Sequence, residues 1–238
     1  MARQFLLIHG SWHGAWCWER LIPRLIERGD QVTAIDLPAH GDDPTPHYRA
    51  SLGSYARCIQ AAAAELPEKP ILVGHSMGGM AITRAALDAP ELFSALIYLC
   101  AFAPIAGESM LGLGRDPESG VSGSYSFGLT GLHFAPARAK AAFYSDCSDR
   151  DAEWATRQLR PEPLLPLLQR MPGRALPRLP KAYIACRADR SIPIERQQAM
   201  AERGAFDRVV TMETDHSPFL SSPEELAAHL DDCAELAA

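Results

Sequence analysis

Nothing in this 238-residue chain is both long enough and apolar enough to cross a bilayer. Its first apolar run, Phe5 to Ile8, is also too short for the core of a secretory signal, so the expected setting is cytoplasmic, with no membrane partner. Lysine is scarce, at positions 69, 140 and 181 only, and the net charge is −6. Without a basic cluster to neutralise phosphates, nucleic acid and anionic membrane are excluded as partners. No Cys-x-x-Cys pair or acidic metal loop occurs. His9, His13 and His40 are read as loop packing and hydrogen bonding, so neither a metal nor another cofactor is implied. The six cysteines, at 17, 58, 100, 147, 186 and 233, are scattered through a large chain and read as free thiols. Cys100 and Cys186 fall in strand-like runs and are expected to be small buried apolar residues. No internal repeat stands out.

What the chain does have is an alternation of strands and helices long enough for one large core. Strands are predicted at Phe5–Ile8, Val32–Leu37, Ile71–Val73, Leu96–Cys100, Tyr183–Cys186 and Arg208–Met212. Helices are predicted within Trp16–Arg28, over Ser54–Leu66, from Gly79 to Leu87 and from Pro223 to Leu236. In the second helix Tyr55, Ile59, Ala62, Ala63 and Leu66 share one face and should pack on the sheet. After Pro104 the pattern breaks into a Gly/Ser-rich stretch to Gly131, then short helical pieces at Pro136–Tyr144 and Ala152–Arg160 and a Pro-rich segment through Pro180. Residues 1–104 and 181–238 are thus expected to form an α/β core with a mainly parallel sheet flanked by helices. Residues 105–180 are expected to form a small, mostly helical cap over the strand ends.

Gly74-His75-Ser76-Met77-Gly78 joins the apolar run Ile71-Leu72-Val73 to a helix. Gly-x-Ser-x-Gly alone is a weak pattern; between a buried strand and a helix it is a nucleophile elbow, with Ser76 exposed at its apex. A serine hydroxyl needs a base to take its proton, and the base needs a carboxylate to orient it, following along the chain in the order serine, acid, histidine. The histidines beyond Ser76 are His133, in the Gly-rich insertion, His229, inside the last helix, and His216. His216 follows the last strand and precedes an expected capping box of Ser222 and Glu225 with Pro223 at the first helical position. Loops at the carboxyl ends of parallel strands are where catalytic groups collect, which selects His216. The loop after Tyr183–Cys186 offers one carboxylate, Asp189. Its rivals are Asp215, too close to His216 in sequence to bond its ring, and Asp207 and Glu213, which read as solvated turn charges. The oxyanion hole would take the backbone N–H of Met77 and of Ser11, the latter in the loop His9-Gly10-Ser11-Trp12, where Gly10 lets the backbone bend close to a bound carbonyl. His75 is read as a packing residue beside the elbow.

The segments His9 to Trp18, Val32 to Leu37, Val73 to Met80 and Cys100-Ala101-Phe102-Ala103-Pro104 together resemble the plant methylesterase and hydroxynitrile lyase family of α/β-hydrolases and its bacterial esterase relatives, pyrethroid-hydrolase-like enzymes among them. The resemblance covers essentially the whole chain and is loose between Ile105 and Pro180. It implies the α/β-hydrolase fold with the cap inserted after the sixth-strand position, and the triad Ser76, Asp189 and His216. It also implies a homodimer. A lysine follows the histidine in cyanide-handling members of one stereochemical type, where this chain has Ser217; an asparagine stands at the position of Gly10 in the other type. Both departures favour ester hydrolysis.

The expected activity is therefore serine-dependent hydrolysis of a small to medium, apolar or aromatic carboxylic ester through an acyl-enzyme. Other readings of the same residues are a lyase or carbon–carbon bond hydrolase, an amidase or lactonase, and a ligand-binding sensor. Candidate substrate-binding residues are Gly10, Trp12, Phe102, Tyr125, Phe127, Trp154, Leu164, Ile192 and Ser217, with Phe134 and Leu165 as further cap candidates.

Overall fold

A computed structural model describes residues 2–115 and 119–237. In chain order its elements are β1 (Gln4–Ile8), α1 (Leu21–Glu27), β2 (Gln31–Ile35), α2 (Leu52–Ala64), β3 (Ile71–His75), α3 (Gly78–Asp88), β4 (Ala95–Leu99), α4 (Met110–Leu113), β5 (Tyr125–Gly128), β6 (Gly131–Phe134), α5 (Pro136–Phe143), α6 (Asp149–Gln158), α7 (Leu164–Leu168), β7 (Lys181–Cys186), α8 (Ile194–Gly204), β8 (Arg208–Met212), α9 (Pro218–Ser221) and α10 (Pro223–Ala234). Six strands make one sheet in the order β2-β1-β3-β4-β7-β8, with every neighbouring pair parallel.

Side chains alternate across a strand, and here both faces of the central strands are apolar. Phe5 and Leu7, Ile71 and Val73, and Ile97 and Leu99 feed one core layer, which Leu21 and Leu25 of α1 and Leu226 and Leu230 of α10 close. Leu6 and Ile8, Leu72, and Leu96 and Tyr98 feed the other, closed by Tyr55 and Ile59 of α2, Met80 and Ile82 of α3 and Met200 of α8. The expected stripe on α2 is the buried one: Tyr55, Ile59 and Ala63 are sequestered, with Ala62 and Leu66 packed at its margin. Cys100 and Cys186 are buried in the same core, and all six cysteines are free.

Some local expectations are corrected. The region Trp16–Arg28 divides into a 3-10 turn, Ala15–Trp18, followed by α1. Helix α2 begins at Leu52, because Ser51 and Ser54 form a reciprocal capping box with a serine in the third position where Glu or Gln is usual. The box expected from Ser222 and Glu225 does not form. Ser222 makes no side-chain cap, and Glu225 lies instead one turn below His229, 3.8 Å from its ring.

Between β4, the fourth strand in the chain, and β7 the polypeptide leaves the sheet. Alongside four short helices, α4 to α7, this segment contains an antiparallel hairpin, β5–β6, that the helical expectation missed. Its two strands are four residues each and are joined through Leu129 and Thr130, too short for alternation to show in the sequence. No helix among the described residues is long and apolar enough to cross a membrane.

Candidate active site

Strand β3 is buried along its whole length and delivers Ser76 at its carboxyl end. Ser76 has φ +54°, a left-handed conformation that a non-glycine residue holds only when its surroundings fix it. They do so by hydrogen bonds on both sides of the turn: Ser76 N donates to Leu99 O, and Ser76 O accepts from Gly79 N and Phe102 N. The turn also needs close approach. A Cβ on Gly78 would stand 2.7 Å from the carbonyl oxygens of both Ile8 and His9, and one on Gly10 would stand 2.7 Å from Ser76 Cβ. Glycine at these positions lets β1, its following loop and the elbow touch through their backbones.

The loop after β7 carries Asp189 and the loop after β8 carries His216; both side chains are buried. His216 Nδ1 lies 2.7 Å from Asp189 Oδ2. The other carboxylate oxygen, Oδ1, accepts the amides of Ser191 at 2.7 Å and Ile192 at 2.9 Å. Gln197, fully buried on α8, donates from Nε2 to Asp189 Oδ2 and to the carbonyls of Ile192 and Cys186, while its Oε1 accepts the Cys186 amide. Gln197 thus ties Asp189 to the end of β7, a role the sequence reading missed because a lone Gln on a helix carries no pattern.

The rival carboxylates are occupied elsewhere. Glu213 pairs with Arg187, and Asp207 accepts the Lys181 amide. Asp215 is buried and accepts from Ser217 N, Ser221 Oγ and Asp146 N; burial raises its pKa. His133 sits on β6 near Thr130, remote from these loops in the hydrogen-bond network.

Ser11, Ser76 and His216 line one cavity of about 110 Å³. Of the expected pocket residues, Trp12, Phe102, Tyr125 and Ile192 also line it. Phe127 does not: one pleat further along β5 it is 77% exposed, with its ring T-shaped to that of Tyr125. Trp154 packs edge-on against Trp16, on the outer side of the core. Leu164 and Leu165 face solvent because the inward face of α7 falls on Pro166 and Leu167. Ser217 is turned into the start of α9, where its carbonyl accepts the Leu220 and Ser221 amides. Phe134 packs on Trp12 and Phe143 behind the cavity wall. Gly10 serves the elbow contact described above. The cavity walls that the sequence reading omitted include Met110, Leu111, Leu132, Phe143 and Leu167. Phe143 was detectable, since it shares a face of the predicted helix with Ala139 at i,i+4 spacing.

Three buried histidines surround the elbow as neutral rings. Burial drives His75 and His9 well below the usual histidine range, and pushes His13 down to about 3. Each has a fixed role: His75 Nε2 donates to His216 O, His9 Nε2 accepts from Leu37 N, and His13 lies between Ser11 O and the Tyr144 hydroxyl. His9 and His13 are four residues apart, yet both nitrogens of each ring are engaged. His75, Cys100 and His216 bring ligand-type atoms within 4.8 Å of one another. There the His75 Nε2 and Cys100 thiol both point at the His216 carbonyl, and His216 Nδ1 faces Asp189, so the cluster is hydrogen-bonded packing.

A serine on a strained strand-to-helix turn, sharing a cavity with the histidine of a buried Asp–His pair at the carboxyl end of a parallel sheet, defines the class of α/β enzymes built round a nucleophile elbow. The chain belongs to the alpha/beta hydrolase family, whose pattern matches residues 5–229. It is 32% identical to Methylesterase 1 of Arabidopsis thaliana over 94% of this chain and 93% of that one. To polyneuridine aldehyde esterase of Rauvolfia serpentina it is 28% identical, over 98% of this chain and 96% of that one. A crystal structure of polyneuridine aldehyde esterase superposes with a TM-score of 0.86, covering 98% of this chain and 100% of the other at 28% identity. A pyrethroid hydrolase structure superposes with a TM-score of 0.83, covering 99% and 98% at 25% identity.

Proposed function

We propose that this protein is a serine carboxylesterase and that Ser76, His216 and Asp189 are its triad. The observation that carries this reading is the buried Asp189–His216 bond, whose histidine lines the same cavity as the elbow serine. His216 takes the Ser76 proton as Oγ attacks the ester carbonyl, and Asp189 holds the ring and stabilises the imidazolium. The amides of Ser11 and Met77 receive the oxyanion, helped by the amino-terminal end of α3 just beyond the elbow. His216 then protonates the departing alcohol, and water releases the acyl group by the same steps. The similarity to a methylesterase and to polyneuridine aldehyde esterase supports an ester as substrate.

Residues 105–180 act as a cap, since Met110, Leu111, Tyr125, Leu132 and Leu167 from this segment form much of the cavity wall. The described lining carries no carboxylate, lysine or arginine, so the group taken up is neutral and apolar. A space of about 110 Å³ suits a short chain or a single ring, with the rest of the substrate at the mouth. Six free thiols suit the reducing cytoplasm. A homodimer follows from the resemblance alone and is read directly by light scattering.

The test is hydrolysis of p-nitrophenyl acetate, butyrate and octanoate by the wild type and by Ser76→Ala. Turnover is expected to disappear in the variant, and octanoate is expected to be the poorest of the three substrates. Turnover retained in Ser76→Ala overturns the assignment, and a preference for octanoate overturns the small-pocket reading.

A further inference from the structure

Every polar group of Trp12 is held by the segment outside the sheet. Its amide donates to Glu162 Oε2 at 2.9 Å, its carbonyl accepts from Arg160 N at 2.9 Å, and its indole N–H donates to Leu132 O at 3.0 Å. Trp12 has φ +63°, a conformation that costs a bulky residue energy and has to be imposed by its neighbours. It also adjoins Ser11 in the loop whose amide is assigned to the oxyanion hole.

Glu162 is a carboxylate with no solvent exposure. Pro163 restricts it to an extended backbone, and its own amide and carbonyl pair with Leu132 at 2.9 Å each. Gly131 permits this pairing, because a Cβ there would stand 2.2 Å from Glu162 O. The same Oε2 that takes the Trp12 amide lies 3.0 Å from His40 Nε2, while Oε1 has no protein partner. Burying a carboxylate is costly unless it is hydrogen-bonded, and here its bonds run to His40 and to a strained residue next to the proposed oxyanion donor.

We propose that Glu162 is a positioning residue that holds the oxyanion loop in its working shape from the cap side, through the Trp12 amide. It does not touch the substrate; it acts through the backbone that presents Ser11. The proposal rests on the esterase reading for its catalytic consequence, but the clamp itself can be read without substrate.

The experiment compares the wild type with Glu162→Ala and Glu162→Gln, the second keeping a carbonyl oxygen to accept the Trp12 amide. Hydrogen–deuterium exchange by mass spectrometry reads the clamp. Exchange in the peptide over residues 9–14 is expected to rise roughly tenfold in Glu162→Ala, with β1 and β3 unchanged, and to stay near wild type in Glu162→Gln. Unchanged exchange in Glu162→Ala overturns the proposal. So does a rise spread evenly over the sheet, which would mark a general loss of stability.

The catalytic arm uses a short alkyl trifluoromethyl ketone. Ser76 Oγ adds to its carbonyl carbon, the C=O pair becomes an oxyanion, and the serine proton passes to His216. In Glu162→Ala, kcat and affinity for this ketone are expected to fall together by about 10- to 100-fold, less than deletion of a whole oxyanion donor. KM and affinity for the matching unreactive amide are expected to hold within about twofold, since their binding uses the apolar wall, in which the Trp12 ring stays anchored by its indole bond to Leu132 O. Equal losses for ketone and amide overturn the proposal. If loop exchange rises as expected while the wild type shows no Ser76-dependent turnover, the clamp stands and the esterase reading fails.

Discussion

Asp189 shows how much of this site is decided at a single residue. Its Oδ1 accepts two amides and its Oδ2 faces His216 Nδ1 and Gln197 Nε2, so every neighbour it meets is a donor. An asparagine has one accepting oxygen and one donating nitrogen. In Asp189→Asn the oxygen will be claimed by the Ser191 and Ile192 amides, leaving the NH2 group against His216. The ring then has to accept at Nδ1 and carry its proton at Nε2, the tautomer that cannot take a proton from Ser76. The expected result is kcat lower by about 10⁴-fold with the fold intact, as such a tautomer change costs in triad enzymes generally. Steady-state kinetics alongside a melting curve checks it; turnover within tenfold of wild type would mean that the acid lies elsewhere.

At the scale of elements, the elbow depends on α3 reaching β1. Gly78 opens α3 with its Cα against the Ile8 and His9 carbonyls, and no side-chain rotation relieves a methyl group placed there. Gly78→Ala is expected to cost about 2 kcal/mol of stability by overpacking, read from urea denaturation, and to lower activity by moving the elbow. A neutral effect would show that the strand–helix contact gives way easily. The same elements explain what the sequence discloses. The strands leading to Ser76 and Asp189 are short buried runs ended by turns, and β8 before His216 alternates more exposed with less exposed positions, so they and their loops could be read from the sequence pattern. The hairpin β5–β6 and helix α7 could not. Strands β5 and β6 lack the continuous apolar run that marks β3, Pro166 interrupts the apolar run of α7, and their inward residues, Leu132 and Leu167, are set by what they pack against. Phe127 and Leu164 have the right composition for a pocket and the wrong direction, and direction in so short an element is decided by tertiary packing. The Glu162–Trp12 contact spans 150 residues and leaves no local trace beyond the flanking prolines.

Across the whole molecule, the most consequential feature is a set of histidines folded away uncharged. His9, His13 and His75 lie at the junction of β1, the elbow and the loop after β8, all with depressed pKa values because burial disfavours the charged ring. In the unfolded chain the same rings titrate near pH 6.5. Above that pH neither state binds the protons, and the stability these residues permit is fully present. As pH falls below about 6.5 the unfolded chain takes up protons that the native state refuses until far lower pH, about 3 for His13. Stability is therefore lost on the acid side, at up to about 1.4 kcal/mol per pH unit for each ring and about 4 kcal/mol per pH unit for the three together. Asp215, whose pKa burial raises, pulls the other way as pH falls, so the histidine contribution is read by comparing the wild type with His13→Gln over the same window, from about pH 6.5 to 5. Urea denaturation at pH 7.5, 6 and 5 is expected to show the decline steepening across that window, with His13→Gln reducing the slope by about a third. A flat profile down to pH 5 would mean that these rings accept protons without unfolding the site. Since the three rings touch the backbone of Ser11, His216 and the β1 loop, acid inactivation and acid unfolding are expected to coincide.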